Sequence, residues 1–162
     1  MSSLLDQAIT LHNQGRLTEA EQMYRSVLAA EPRQPDALAL LGVLLAARKE
    51  YKEAVSFLDR AIACDPATPL FRLYLGNIFL EKGEDARAAE AFRDALLRQP
   101  DFVDAHIKLS LILEKQNNLS ESAKHFGDGE EHGPARRNLL RCGARGAHGR
   151  GHHRDDSGMR FP

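Results

Sequence analysis

Residues 38–66, LALLGVLLAARKEYKEAVSFLDRAIACDP, and residues 72–100, RLYLGNIFLEKGEDARAAEAFRDALLRQP, carry one pattern twice, 34 positions apart. Laid over each other, Leu41 falls on Leu75, Gly42 on Gly76, Ala54 on Ala88, Leu58 on Phe92 and Pro66 on Pro100. Moved upstream by the same interval, the register continues through Ala8, Ala20, Tyr24 and Pro32. Gly15 and Gly83 coincide two intervals apart. A fixed period of this length signals stacked helical units, none of which can bury its apolar side alone.

The spacing predicts two antiparallel helices per unit, roughly 2–14 and 18–30 in the first. Gly42, Gly76, Ala20, Ala54 and Ala88 let paired helices approach closely, while Leu41, Leu75, Tyr24 and Phe92 fill the seams. Gly15 and Gly83 suit turns in which a residue of positive φ closes a helix. Thr18 with Glu21 three residues later reads as a capping box for the second helix. Pro32, Pro66 and Pro100 close each pair, because proline cannot continue a helix. The run Ala37–Ala47 is apolar nearly all round, as befits a helix between neighbours. It is far shorter than the roughly 20 residues that a membrane span needs.

These columns resemble the tetratricopeptide repeat, whose pattern runs W-x2-L-G-x2-Y, then A-x3-F, then P. The second unit offers Leu38, Leu41, Gly42, Leu45, Ala54, Leu58, Ala61 and Pro66. The third offers Arg72, Leu75, Gly76, Phe79, Ala88, Phe92, Ala95 and Pro100, and the first Leu4, Gln7, Ala8, Leu11, Ala20, Tyr24, Val27 and Pro32. Leu4, Leu38 and Arg72 replace the large aromatic at the head of each unit. The resemblance implies an all-α, right-handed α-solenoid of helix-turn-helix repeats, at about 1–34, 35–68 and 69–102, with a partial fourth over 103–126.

The fourth unit opens at Val103, where Ala105, Leu109, Leu111, Ile112 and Leu113 form an apolar stripe and Ser110 takes the small position. Residues 116–119 read as its turn, Ser120 as the next N-cap, and Ser122 and Phe126 keep register with Ala88 and Phe92. Gly127-Asp128-Gly129 is then expected to break the helix, leaving Leu109, Leu113 and Phe126 under-covered and prone to self-association. Residues 127–162 hold eight of the twelve glycines and all of their basic charge as arginine, so this Gly/Arg/His-rich tail is expected to be mostly disordered. A short helix from Pro134 to Cys142 could fold Leu139 and Leu140 back over the stack. The abrupt change within a repeat also suggests a tail read out of frame, beside the simpler reading of a genuine flexible tail.

In proteins of this family the first helix of each unit lines a groove that holds partner peptides. Carried over by register, the resemblance places Leu5, Ile9 and His12 there from the first unit, and Ala39, Val43 and Ala46 from the second. Leu73, Asn77 and Leu80 follow from the third, and Ile107, Leu111 and Glu114 from the fourth. An apolar wall of this kind suits an extended or helical segment with apolar anchors. Asn77 follows Gly76, where asparagines bind peptide backbone in glycosyltransferase-linked members, although Ile9, Val43 and Leu111 fill that place in the other units. The cationic cluster that grips C-terminal carboxylates elsewhere in the family is absent, since Leu5, Ile9 and Leu73 stand in its places.

Nothing in the chain has the spacing of a catalytic centre. His12, His106 and His125 read as isolated surface or groove residues, and no phosphate loop, HExxH or Cys–His arrangement appears. Cys64 and Cys142 lack metal spacing and read as reduced thiols. The tail groups His148, His152, His153, Asp155 and Asp156 form only a weak metal candidate, and Arg136, Arg137, Arg141, Arg145, Arg150 and Arg154 a non-specific phosphate contact. With net charge −1 and no secretion signal, the expectation is a cytoplasmic interaction scaffold that needs no cofactor or metal, binds a protein or peptide, and has no specific nucleic acid or membrane partner. The alternative is the repeat region of a larger glycosyltransferase- or sulfotransferase-like enzyme.

Overall fold

The computed structural model describes residues 3–132, with side chains for all of these except 119, 126 and 128–132. Eight helices follow one another: α1 Leu4–Asn13, α2 Leu17–Ala30, α3 Pro35–Ala47, α4 Tyr51–Cys64, α5 Pro69–Glu81, α6 Asp85–Arg98, α7 Val103–Lys115 and α8 Leu119–His132. Odd and even helices pair within each unit, and each even helix also packs on the odd helix of the next. The result is the helical solenoid expected from the period. Its apolar core runs without a gap, because Val55 and Leu75 belong to both the cluster around α1–α5 and the cluster around α5–α7.

The small residues sit where the helices touch. Ala20, Ala54 and Ala88 are wholly inaccessible, as are Tyr24, Leu58 and Phe92. A Cβ built on Gly76 would stand 2.5 Å from the Phe92 ring, and one on Gly42 would stand 3.0 Å from the Ala54 carbonyl oxygen. Only hydrogen fits at Gly76. In the fourth unit Ser110 and Ser122 take these two places, and the Ser122 hydroxyl donates to the Ser110 carbonyl across the seam at 3.2 Å.

All four odd helices end in the same turn. Gly15, Lys49, Gly83 and Asn117, spaced by the repeat, have φ of 76°, 65°, 76° and 61°. In each turn the left-handed residue donates its N–H three residues back, as from Gly83 to Leu80 at 2.9 Å. The next residue donates five back, as from Glu84 to Phe79 at 2.8 Å. This paired closure satisfies carbonyls that the helix end would leave bare. Glycine marks the turn in two units; Lys49 and Asn117 are held there by the same hydrogen bonds against a steric penalty.

Three local expectations need correction. Thr18 and Glu21 form no capping box: Arg16 is the N-cap of α2, without a side-chain cap bond, and Thr18 lies inside the helix. Glu21 is instead buried and paired with Arg25 at 2.6 Å and with Arg48 at the end of α3, so it ties two units together. At the head of α8, Asn118 rather than Ser120 does the capping: its Oδ1 accepts from the Glu121 N–H at 3.4 Å, and its Nδ2 donates to the Glu121 carboxylate at 2.9 Å. The genuine capping box is Ser3 with Asp6, which exchange bonds of 3.1 and 2.9 Å.

Nor does Gly127-Asp128-Gly129 end the last helix, since α8 continues to His132. Each glycine costs a helix only about 1 kcal/mol and, unlike proline, keeps its N–H for the intrahelical ladder. Leu109 and Leu113, two of the three residues expected to be under-covered, are buried; the side chain of Phe126, the third, lies outside those described. The Pro134–Cys142 helix and the tail beyond it lie outside the described residues.

Two substitutions test these constraints. Lys49→Gly should raise stability by about 1 kcal/mol in urea unfolding, by relieving the left-handed penalty. Gly76→Ala should lower it by about 1–2 kcal/mol, overpacking outweighing the better helix propensity, and should cost clearly less in a Phe92→Leu background.

Candidate functional site

Because each even helix covers its own odd helix and the next one, the odd helices line one wall of the stack, with α3 touching α5 directly. Residues 5, 9 and 12 of the first unit, and their equivalents at 34-residue intervals, are the positions singled out along that wall.

The structure distributes them unevenly. Leu5 and Ile9 in α1, Val43 in α3, Asn77 and Leu80 in α5, and Ile107 in α7 are half-buried. Leu111 stands 46% exposed, one of four large apolar side chains so exposed among the described residues. Ala39 and Leu73 are buried, at 1% and 6%, so at that height the wall is closed. The column of residue 12 is mixed: Ala46 is buried at 7%, Leu80 is half-buried, and Glu114 is exposed, with its carboxylate 3.5 Å from the Ser122 hydroxyl on α8. His12 faces Tyr24 on α2, with Nδ1 3.1 Å from the phenol oxygen. Leu70 was missed. It is 38% exposed and lies three residues before Leu73 on the same helical face, as i, i+3 spacing would have shown.

Asn77 stands out chemically. Its Oδ1 is buried and has no hydrogen-bond partner. A buried amide oxygen without a donor costs about 1–3 kcal/mol, and it is the sole orphan of its kind among the described residues. An amide carries both donors and an acceptor, the complement of a peptide backbone.

His12 and Tyr24 form the other polar pair at the wall. Burial pushes the Tyr24 phenol up to about 12, so it stays protonated and can donate to, or accept from, His12 Nδ1 according to the imidazole tautomer. Burial pulls His12 below the ordinary imidazole value, which favours the neutral ring that can accept. His106 and His125 are neither isolated nor surface residues as expected: His106 is 5% exposed, and its Nδ1 lies 3.0 Å from that of His125. No group of three or more His, Cys, Asp or Glu among the described residues is placed to hold a metal ion. The tail histidines and arginines named above lie outside those residues, as does Cys142; Cys64 is a half-buried free thiol. No described helix is long and apolar enough to cross a membrane.

The sequence profile of the tetratricopeptide repeat matches residues 5–69, 65–96 and 73–131. The chain belongs to that family. Among curated proteins it is similar to the probable UDP-N-acetylglucosamine–peptide N-acetylglucosaminyltransferase SPINDLY of Hordeum vulgare, 27% identical over 75% of this chain but only 12% of that protein. It is also similar to a tetratricopeptide repeat and J domain-containing co-chaperone of Fusarium oxysporum, 30% identical over 49% of this chain and 15% of that one. The chain therefore spans a small part of these relatives' length. Among solved structures, MamA from Desulfovibrio magneticus shares the fold with a TM-score of 0.71, at 24% identity over 83% of this chain and 76% of that one. A mutant O-GlcNAc transferase of Thermobaculum terrenum matches with a TM-score of 0.65, at 30% identity over 70% of this chain and 23% of that one.

The His12 pair yields a pH prediction with a definite sign. Since burial lowers the folded pKa of His12, the unfolded chain binds this proton more readily, and stability falls as pH drops below about 6.5. His12→Gln keeps an acceptor for Tyr24 and removes the titration. Its urea midpoint should therefore fall less than that of the wild type between pH 7.5 and 5.5; equal falls would refute the assignment.

Proposed function

We propose that this protein is a non-catalytic scaffold, acting in the cytoplasm, that holds an extended segment of a partner protein along the wall of α1, α3, α5 and α7. The observation that carries the reading is the orphaned amide oxygen of Asn77, flanked along that wall by half-buried Val43 and Leu80 and exposed Leu70 and Leu111. Apolar side chains give a ligand anchors, and an uncommitted amide gives its backbone a partner regardless of sequence. Membership of a repeat family built for protein contacts agrees with this. Leu5, Ile9 and Ile107 extend the surface toward the two ends, whereas His12, Ala39 and Leu73 shape it from beneath, being hydrogen-bonded or buried.

A second reading makes the chain the substrate-presenting part of a larger enzyme. The similarity to the Hordeum vulgare transferase and to the Thermobaculum transferase favours it, because in both the match covers a minor part of a longer protein. The same wall would then present protein substrates to a catalytic domain.

Both readings assign binding to the same residues. In a quantitative pull-down from the source cells, Val43→Glu with Asn77→Ala should reduce captured partners about tenfold, as loss of one or two anchoring contacts does. Leu97→Ser, at the 80% exposed Leu97 on α6, should leave capture unchanged. Unchanged capture by the double variant, with its helical circular dichroism intact, would remove the wall as the binding site.

A further inference from the structure

Three residues before the column of Ala39, Leu73 and Ile107 runs another, Asp36, Leu70 and Asp104, one from each of α3, α5 and α7. All three are exposed. Asp36 lies at the junction of α3 and α5, for after burial its charge is the next cause holding the Tyr74 phenol above its ordinary value. Neither Asp36 nor Asp104 is in an ion pair among the described residues. Each also occupies the second position of its helix, where the helix dipole favours a carboxylate. The dipole accounts for two acids at helix starts. It does not account for Leu70, 38% exposed between them and two helical turns from the orphaned Asn77 oxygen on the same face.

The column sets the register of an occupant. Packed helices stand about 8–10 Å apart, and an extended chain advances about 3.3 Å per residue, so about three ligand residues span the step from α3 to α5, which touch. The repeat carries the same step on to α7. Lys108, one turn after Asp104 on α7, makes no close ion pair with it, and Lys115 turns to Asp85 on α6 at 3.6 Å.

Resting on the groove reading above, we propose that the bound segment is basic: an extended stretch whose large aliphatic side chain packs on Leu70, with Lys or Arg three residues away on each side, paired to Asp36 and Asp104. Such rim pairs contribute modestly to affinity and more to choice of partner, since an acidic segment would meet two like charges.

A phage-displayed library of random 12-residue peptides, selected on the full chain and counter-selected on the Val43→Glu, Asn77→Ala variant, tests this. The expected groove-dependent sequences share a basic, two-spacer, aliphatic, two-spacer, basic pattern. As labelled synthetic peptides in fluorescence anisotropy, they should lose about three- to tenfold in affinity for the Asp36→Asn, Asp104→Asn variant, and a similar factor in 0.5 M salt. Both carboxylates are exposed, so that variant keeps its fold, checked by its thermal midpoint. Groove-dependent sequences that are neutral or acidic, or that bind the asparagine variant as tightly, would overturn the basic preference and leave the groove standing. A selection yielding no groove-dependent sequence would overturn both.

Discussion

The close approach of two helices within a unit is the constraint from which the rest of this structure follows. Gly76 admits no side-chain atom because the Phe92 ring already stands where a Cβ would go, and Gly42 is nearly as tight against the Ala54 carbonyl. At that separation the even helix covers one flank of the odd helix completely, and the next even–odd contact covers another. What remains uncovered is one narrow face per odd helix. The wall proposed for ligand binding is therefore a consequence of pairing, and its residues are those that packing leaves over. The fourth unit shows how far the constraint can be met by other means: Ser110 and Ser122 keep helices close through a hydroxyl-to-carbonyl bond where glycine and alanine do so by lacking bulk.

Repetition made much of this legible. A column of alanines at 34-residue spacing can only face an invariant neighbour, and Ala20, Ala54 and Ala88 are indeed wholly buried. Turns were half legible. Glycine at 15 and 83 announces positive φ, and Asn117, which tolerates that region, lies in the stretch read as a turn; Lys49 adopts the same geometry with a side chain that does not advertise it. Their conformation is imposed by two backbone bonds, from residues 49 and 50 to Ala46 and Leu45, and by 117 and 118 to Glu114 and Leu113. Register, more than residue type, was the usable signal there. The same holds for α8: its glycines suggested a break, whereas the helical ladder tolerates them.

Surface chemistry was less legible, since it depends on how far each helix rotates against its partner. A column chosen by spacing alone put residues 12, 46, 80 and 114 on the open wall. Of these, Ala46 is buried and half-buried His12 is hydrogen-bonded to Tyr24 of its own unit, whereas Leu80 is half-buried and Glu114 exposed. Ala39 and Leu73 are likewise covered, while Leu70, one turn earlier on the same face, is exposed. A rotation of a fraction of a turn separates a groove residue from a seam residue, and no periodicity resolves it. The unpaired state of the Asn77 oxygen is still further from sequence, because it depends on every neighbour that fails to offer a donor.

The head of each unit shows how a departure from a family pattern can be absorbed. Where the repeat usually carries a large aromatic, this chain carries Leu4, Leu38, Arg72 and His106 in successive units. Arg72 is 4% exposed and would be costly there alone. Its guanidinium donates to the Pro66 carbonyl at 2.9 Å and pairs with Asp94, which Arg98 also holds; Arg98 donates to that same carbonyl at 2.9 Å. One unit later, His106 Nε2 lies 2.7 Å from the carbonyl of Pro100, the equivalent proline. A carbonyl only accepts, so Nε2 carries a proton there, while Nδ1 meets that of His125 at 3.0 Å. In both units the buried head reaches back to the residue that ended the preceding pair. An aromatic there fills volume; Arg72 and His106 fix the angle at which one unit follows the next, because a hydrogen bond, unlike apolar contact, is lost when direction changes. That angle bears on how Leu70 and Asn77 of α5 line up with Leu111 of α7, so the polar heads buried at the junctions help to shape the wall proposed to meet a partner.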